Sequence, residues 1–381
     1  MNILIAPNAF KHSLDAPAVA GAIALGFEQS KLDCTCQLFP VGDGGDGTGS
    51  LIIKKLKGEL VETSVHDALG RQITAQFGLI DNGNTAVIEM ADAAGIRLLK
   101  KEELNPLIAN TTGTGEMIKH ALDKGARKII IGMGGSATVD GGTGILMALG
   151  IRFLNSNNEP ITSPAELTEL NTINLSGLDK RVAGCEITVL CDVDNLLLGK
   201  EGAAAVFGPQ KGASPEDVEV LDAALKKLAG VTLTQTGIDI AAVKHGGTAG
   251  GAAAGLYGLL QAKLVSGGTY FLELTGFNAS LQNARIVITG EGSIDEQTLQ
   301  GKAPFAVACA AKQKGLPVIG LAGKVPLVNS EELSRYFDML LAIGNEPGDL
   351  DTALSHTRDN LVRTAKQIGN LLALFNKEIN R

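Results

Sequence analysis

Four candidate strand-end loops in this chain each carry an acid: Asp43, Asp140, Asp192 and Asp295. Carboxylates at such ends have two chemical uses. They hold a divalent metal that bridges phosphates, or they accept the proton of a hydroxyl as it attacks. Lys11, Lys211, Lys302 and Lys324 lie in or beside loops of the same kind. Their ammonium groups can neutralise a phosphate or a substrate carboxylate. A single aspartate in such a place is more often a turn or cap residue, so the weight lies in the repetition.

The stretch Arg127 to Gly144, RKIIIGMGGSATVDGGTG, combines these features. Lys128 to Ile131 reads as a buried strand and Ile145 to Leu149 as the start of a helix, with glycines between. A strand that breaks into glycines and restarts as a helix is expected to present free backbone N–H groups to an anion. Gly134, Gly135, Ser136 and Ala137 are therefore candidates for a phosphate or carboxylate cradle, and Ser136 and Thr138 add hydroxyls. The alternative is a glycine turn required only by packing. Gly132 to Ala137 also fits GxGxxA, but the acid expected ~20 positions on is poorly matched by Glu159 in its polar turn. An NAD-dependent dehydrogenase of a small hydroxy acid thus stays open as an alternative. Gly301-Lys302 lacks the rest of a P-loop, no GxSxG elbow occurs, and the five histidines show no metal spacing.

These loops need elements to carry them. Asn2 to Ala6 and Leu32 to Pro40 read as strands, each followed by a loop and a helix, with Asp15 as a helix cap. That is the grammar of a parallel sheet. Near Gly58 the pattern changes to successive strands, Leu60–Val65, Gln72–Leu79 and Thr85–Met90, the last two joined by Asn82-Gly83. After Asn283 the opening grammar returns: strand Arg285–Thr289, loop Gly290 to Asp295, helix Pro304–Lys314, and further strands at Pro317–Leu321 and Met339–Ile343. The expected architecture is α/β. A parallel doubly wound (Rossmann/flavodoxin-like) domain is built from both chain ends, 1–57 and 283–381, and a second α/β domain, 58–282, is inserted. The segment 98–135 could join either sheet. The active site is expected in the cleft between the domains, with substrate drawing them together.

Composition narrows the class. The chain has 381 residues, 45% hydrophobic and 19% charged. It holds 48 glycines, about twice the usual ~7%. Aromatics are 4%, tryptophan is absent and net charge is -8, which disfavours nucleic acid. Five scattered cysteines argue against a disulfide framework, and no run of ~18 apolar residues suggests a membrane span. The expectation is a cytoplasmic protein with small-molecule partners, no nucleic acid and no membrane, its assembly left between monomer and homodimer.

At its loops the sequence resembles the bacterial-type glycerate kinases that act on the 2-hydroxyl of D-glycerate. The motifs run in order along nearly the whole chain. They are Ala6-Pro7-Asn8-Ala9-Phe10-Lys11 with Ser13-Leu14, Gly42-Asp43-Gly44-Gly45-Asp46-Gly47-Thr48, and Gly134-Gly135-Ser136-Ala137-Thr138 with Asp140-Gly141-Gly142. Then come Cys191-Asp192-Val193, Ala203 to Gly212 with Phe207-Gly208-Pro209-Gln210-Lys211, and Thr289-Gly290-Glu291-Gly292 with Ile294-Asp295, Gln297-Thr298 and Gly301-Lys302. The chain departs from the family pattern at Asn8, Asp46, Val139 and Ser293, where aspartate, glutamate, asparagine and arginine are usual. Asn8 removes a charge at a candidate metal or hydroxyl contact.

The resemblance implies a kinase using ATP and Mg²⁺ to make 2-phosphoglycerate. Asp192, Asp295 and Lys302 are the catalytic candidates, with Asp192 and Asp295 as metal ligands or base. Lys11, Ser13, Asp43 and Gly44 are candidates for substrate. Gly134, Gly135, Ser136, Ala137, Lys211, Gly290, Glu291 and Gly292 are candidates for nucleotide and phosphate. A non-catalytic two-domain ligand-binding protein is the remaining alternative.

Overall fold

A computed structural model describes residues 1–379, with side chains to residue 375. The chain divides into two units, Met1–Asp43 with Gly268–Arg381, and Gly44–Gly267.

In the first unit apolar runs form a five-stranded sheet. Its order is Met339–Ala342, Val318–Lys324, Ile286–Ser293, Asn2–Ile5, Thr35–Leu38. Every pairing is parallel. Numbered along the chain from the far edge, the order is 2-1-3-4-5, the flavodoxin-like arrangement. One face buries Ile3, Ile5, Ile288 and Leu321 with Val19, Ile23 and Phe27 of the helix Ala16–Glu28 and Leu361 and Ala365 of the helix Thr357–Ile379. Asp15 caps Ala16–Glu28 as expected, accepting from Ala18 N at 2.7 Å. The two helices meet closely at Gly26, where a Cβ would lie 2.4 Å from the Val362 carbonyl.

The second unit holds a six-stranded sheet in the order Lys263–Ser266, Glu186–Cys191, Lys128–Gly132, Thr85–Glu89, Gln72–Ile80, Glu59–His66. The first four strands are parallel and the last two are added antiparallel. The antiparallel grammar after Gly58 is therefore one edge of a mixed sheet. The segment whose sheet was open, with strand Lys128–Gly132, belongs here. Ile88, Ile129, Ile131, Ile187 and Val189 pack with Leu146, Leu225 and Leu256 in its core.

The division falls at Asp43/Gly44 and Gly267/Gly268, not near Gly58 and Asn283. The cause is packing. Helix Thr48–Lys55 lies on the second sheet, where Ile53 sits so close to Gly78 that a Cβ on that glycine would be 2.4 Å from Ile53 Cδ1. In the first unit Phe277 stacks edge-on to Phe39, with ring centroids 5.0 Å apart. Among the described residues all five cysteines are free thiols, and no helix is long and apolar enough to cross a membrane.

Candidate functional site

The candidate residues form two sets, one in each unit. In the first unit the strand order reverses between Asn2–Ile5 and Ile286–Ser293. At such a switch point connections leave in opposite directions and open a crevice at the carboxyl ends of the strands. Asn8, just past the first of these strands, is buried there. Its N–H donates to the Gly290 carbonyl at 2.8 Å, and its side-chain amide donates to Asp43 Oδ2 at 2.8 Å. A neutral residue at position 8 thus supplies a donor to the buried Asp43 carboxylate, where an acid would repel it.

Glu291 is buried beside this pair. It accepts from Thr298 Oγ1 at 2.9 Å, and Lys302 Nζ lies 3.6 Å away. Burial pushes its carboxyl up to about 7, with Asp43 adding to the rise and Lys302, Thr298 and Lys11 opposing it. Lys11 is exposed. Ser13 donates its hydroxyl proton to the Leu354 carbonyl at 2.7 Å, which ties its loop to helix Leu350–Ser355. Two acids and two lysines thus gather at the crevice, able to hold an anion and to take up a proton.

One expectation changes here. Gly290 to Gly292 is not a loop: the strand runs to Ser293, pairing Gly290 with Leu321 and Glu291 with Ala322. Gly290 serves the sheet, since a Cβ would fall 2.1 Å from the Leu321 carbonyl. Gly292 is more open, with Lys11 N, at 3.9 Å, the nearest atom to such a Cβ. Asp295 caps the 3₁₀ turn Glu296–Gln300 in a capping box: it accepts from Gln297 N at 2.9 Å, and its own N–H donates to Thr298 Oγ1 at 3.1 Å. Thr298 therefore links Asp295 to Glu291, a role that spacing alone did not reveal.

In the second unit the parallel strands end at Glu89, Gly132, Cys191 and Ser266. Asp192 follows Cys191 and is half-buried. In the glycine stretch after Gly132 part of the expected set of backbone donors is engaged within the protein. Met133 N and Gly134 N both donate to the Gly44 carbonyl, at 3.1 and 3.0 Å, and Ala137 N donates to the Ala94 carbonyl at 2.8 Å. The Gly135 carbonyl accepts from Ile96 N at 2.8 Å. The following helix, Thr143–Ala148, has its N-terminus filled by Asp140. This wholly buried carboxylate accepts from Gly142 N at 2.9 Å, Gly144 N at 3.1 Å, Thr111 N at 2.9 Å and Thr111 Oγ1 at 2.7 Å. The anion at this helix is the protein's own, so Asp140 is a structural cap.

Lys211, only 2% exposed, donates to Ser136 Oγ at 2.8 Å and to the Thr138 carbonyl at 2.7 Å. Burial lowers its ammonium to about 7, against the pull of Asp140 and Asp192. It braces the Ser136–Thr138 segment from behind. Thr138 Oγ1 is buried with no hydrogen-bond partner among the described residues.

Among the described residues no group of three or more His, Cys, Asp or Glu is arranged to hold a metal.

The chain matches the model of the glycerate kinase family over residues 3–373. It is 42% identical over 375 residues to a glycerate kinase of Bacillus subtilis (strain 168), covering 98% of each chain. It is 41% identical over 379 residues to a glycerate 2-kinase of Escherichia coli (strain K12), again covering 98% of each. A crystal structure from Salmonella typhimurium LT2, assigned as glycerate kinase 2, superposes with a TM-score of 0.82 at 40% identity over 99% of both chains.

Proposed function

The chain belongs to the glycerate kinase family, and we propose that it transfers the γ-phosphoryl group of ATP to the 2-hydroxyl of D-glycerate, giving 2-phosphoglycerate and ADP. The end-to-end likeness to proteins of that name carries the reading. The dehydrogenase and non-catalytic alternatives draw no support from it.

The glycerate oxygen attacks the γ-phosphorus, the bond to the β,γ-bridging oxygen breaks, and ADP leaves with that oxygen. The hydroxyl proton passes to a carboxylate. In this reading Lys11, Ser13, Asp43 and Gly44 orient glycerate, with Lys11 facing its carboxylate. Lys302 faces the transferring phosphoryl group, and Glu291, through Thr298, sets the position of that turn. Gly134 to Ala137, braced by Lys211, and Gly290 to Gly292 lie along the nucleotide phosphates. Asp192 and Asp295 are the carboxylates assigned to Mg²⁺ or to the base. There, bound with the triphosphate, Mg²⁺ would supply neutralisation of charge on the transferring group.

A coupled ADP-release assay across small hydroxy acids tests the reading. Turnover is expected with D-glycerate, ATP and Mg²⁺. Tight ligand binding without ADP release, or reduction of NAD⁺ in its place, overturns it.

A further inference from the structure

Strand Thr85–Glu89 ends on a carboxylate that the motifs leave unassigned. Glu89 is buried, and its two oxygens are divided between two backbone donors: Oε2 accepts from Gly47 N at 3.2 Å and Oε1 accepts from Gly49 N. Gly49 permits this approach, since a Cβ there would lie 2.7 Å from Glu89 Cγ. The same loop grips the second glycine stretch. The Gly44 carbonyl takes the N–H groups of Met133 and Gly134, and a Cβ on Gly134 would fall 2.3 Å from Gly45 Cα.

We propose that Glu89 is a positioning residue for phosphoryl transfer: its ionised carboxylate, holding Gly47 and Gly49, keeps the Gly44–Thr48 and Gly132–Thr138 segments in one register. This rests on the reading above that both segments meet substrate, and Glu89 acts through them. The groups facing it are Asp92 and Asp46, with Arg97 paired to both. Burial, then the charges of Asp92 and Asp46, push the Glu89 carboxyl up to about 7, against the two glycine N–H groups. Protonation removes acceptor strength at one oxygen, so the hold on the loop weakens as pH falls below neutrality.

The test uses the full chain as wild type and Glu89→Gln. Glutamine keeps the size but offers one acceptor where two are needed. The readouts are kcat, KM for ATP and for D-glycerate, and melting temperature, from about pH 5.5 to 8.5. We expect wild-type kcat/KM to fall below about pH 7, and Glu89→Gln to lower kcat by at least ~10-fold and to lack that acid limb. Should Glu89→Gln not fold, Gly49→Ala, which pushes on the same carboxylate, is expected to show the same kcat loss. A folded Glu89→Gln with wild-type kcat and pH profile overturns the proposal, as does a lowered melting temperature with unchanged kcat. Wild type without turnover on any hydroxy acid overturns the functional reading, and this role with it.

Discussion

Lys211 Nζ donates to Ser136 Oγ at 2.8 Å, joining residues that lie 75 positions apart, and the ammonium is buried within reach of the charges of Asp140 and Asp192. Removing it leaves Ser136 and the Thr138 carbonyl short of a donor, at about 1–3 kcal/mol. Relief of the buried charge offsets part of that loss. Lys211→Met should therefore shift the melting temperature little while lowering kcat/KM for ATP by at least ~10-fold through a displaced loop. Calorimetry beside steady-state kinetics separates the two. Unfolding with unchanged specific activity would make Lys211 a stability residue only.

Asp295 offers a substitution that divides cap from chemistry. Asparagine caps as well as aspartate, so Asp295→Asn keeps the capping box and removes only the charge. Loss of a metal ligand or base should lower kcat by ~10²-fold with the melting temperature held. Asp295→Ala should in addition lose about 0.5–2 kcal/mol of local stability. Full activity in Asp295→Asn would leave Asp295 as a cap alone.

The buried groups also set a pH signature. Burial holds Glu89 and Glu291 up to about 7, and raises Asp140 and Asp92 as well. Between their ordinary range and about 7 the native state binds more protons than the unfolded chain, so stability falls as pH rises. Lys211 is lowered to about 7, so above that pH the unfolded chain binds the extra proton and stability rises. The melting temperature should pass through a shallow minimum near pH 7 between about pH 5 and 9, and Lys211→Met should flatten the alkaline arm. A maximum near pH 7 would contradict these assignments.

Mg²⁺ is expected to arrive with the nucleotide. Chelation should then abolish ADP release yet leave the melting temperature of the nucleotide-free chain unchanged. A melting temperature that drops on chelation would point to a resident structural metal.

Much of the fold was legible because its signals are local. Apolar runs marked Asn2–Ile5 and Thr85–Glu89, and Asp15 capped where its spacing indicated. What was not legible depends on distant partners. Nothing near Gly290 in sequence reveals that the Leu321 carbonyl presses on it and keeps it in a strand. Nothing near Asp140 reveals that Thr111 and the helix N-terminus claim its carboxylate. Helix Thr48–Lys55 was assigned to the wrong unit because the chain alone does not say which sheet Ile53 faces. Glu89 had one faint signal, an acid closing a buried apolar strand, and its meaning needed Gly47 and Gly49 beside it.

The central claim is that this chain places a phosphoryl group on the 2-hydroxyl of D-glycerate. Phosphorus NMR of the product from ATP, Mg²⁺ and D-glycerate tests it most directly. The account predicts a single monoester on C2, formed in step with ADP. A phosphate on C3, or ADP released with inorganic phosphate alone, would contradict it.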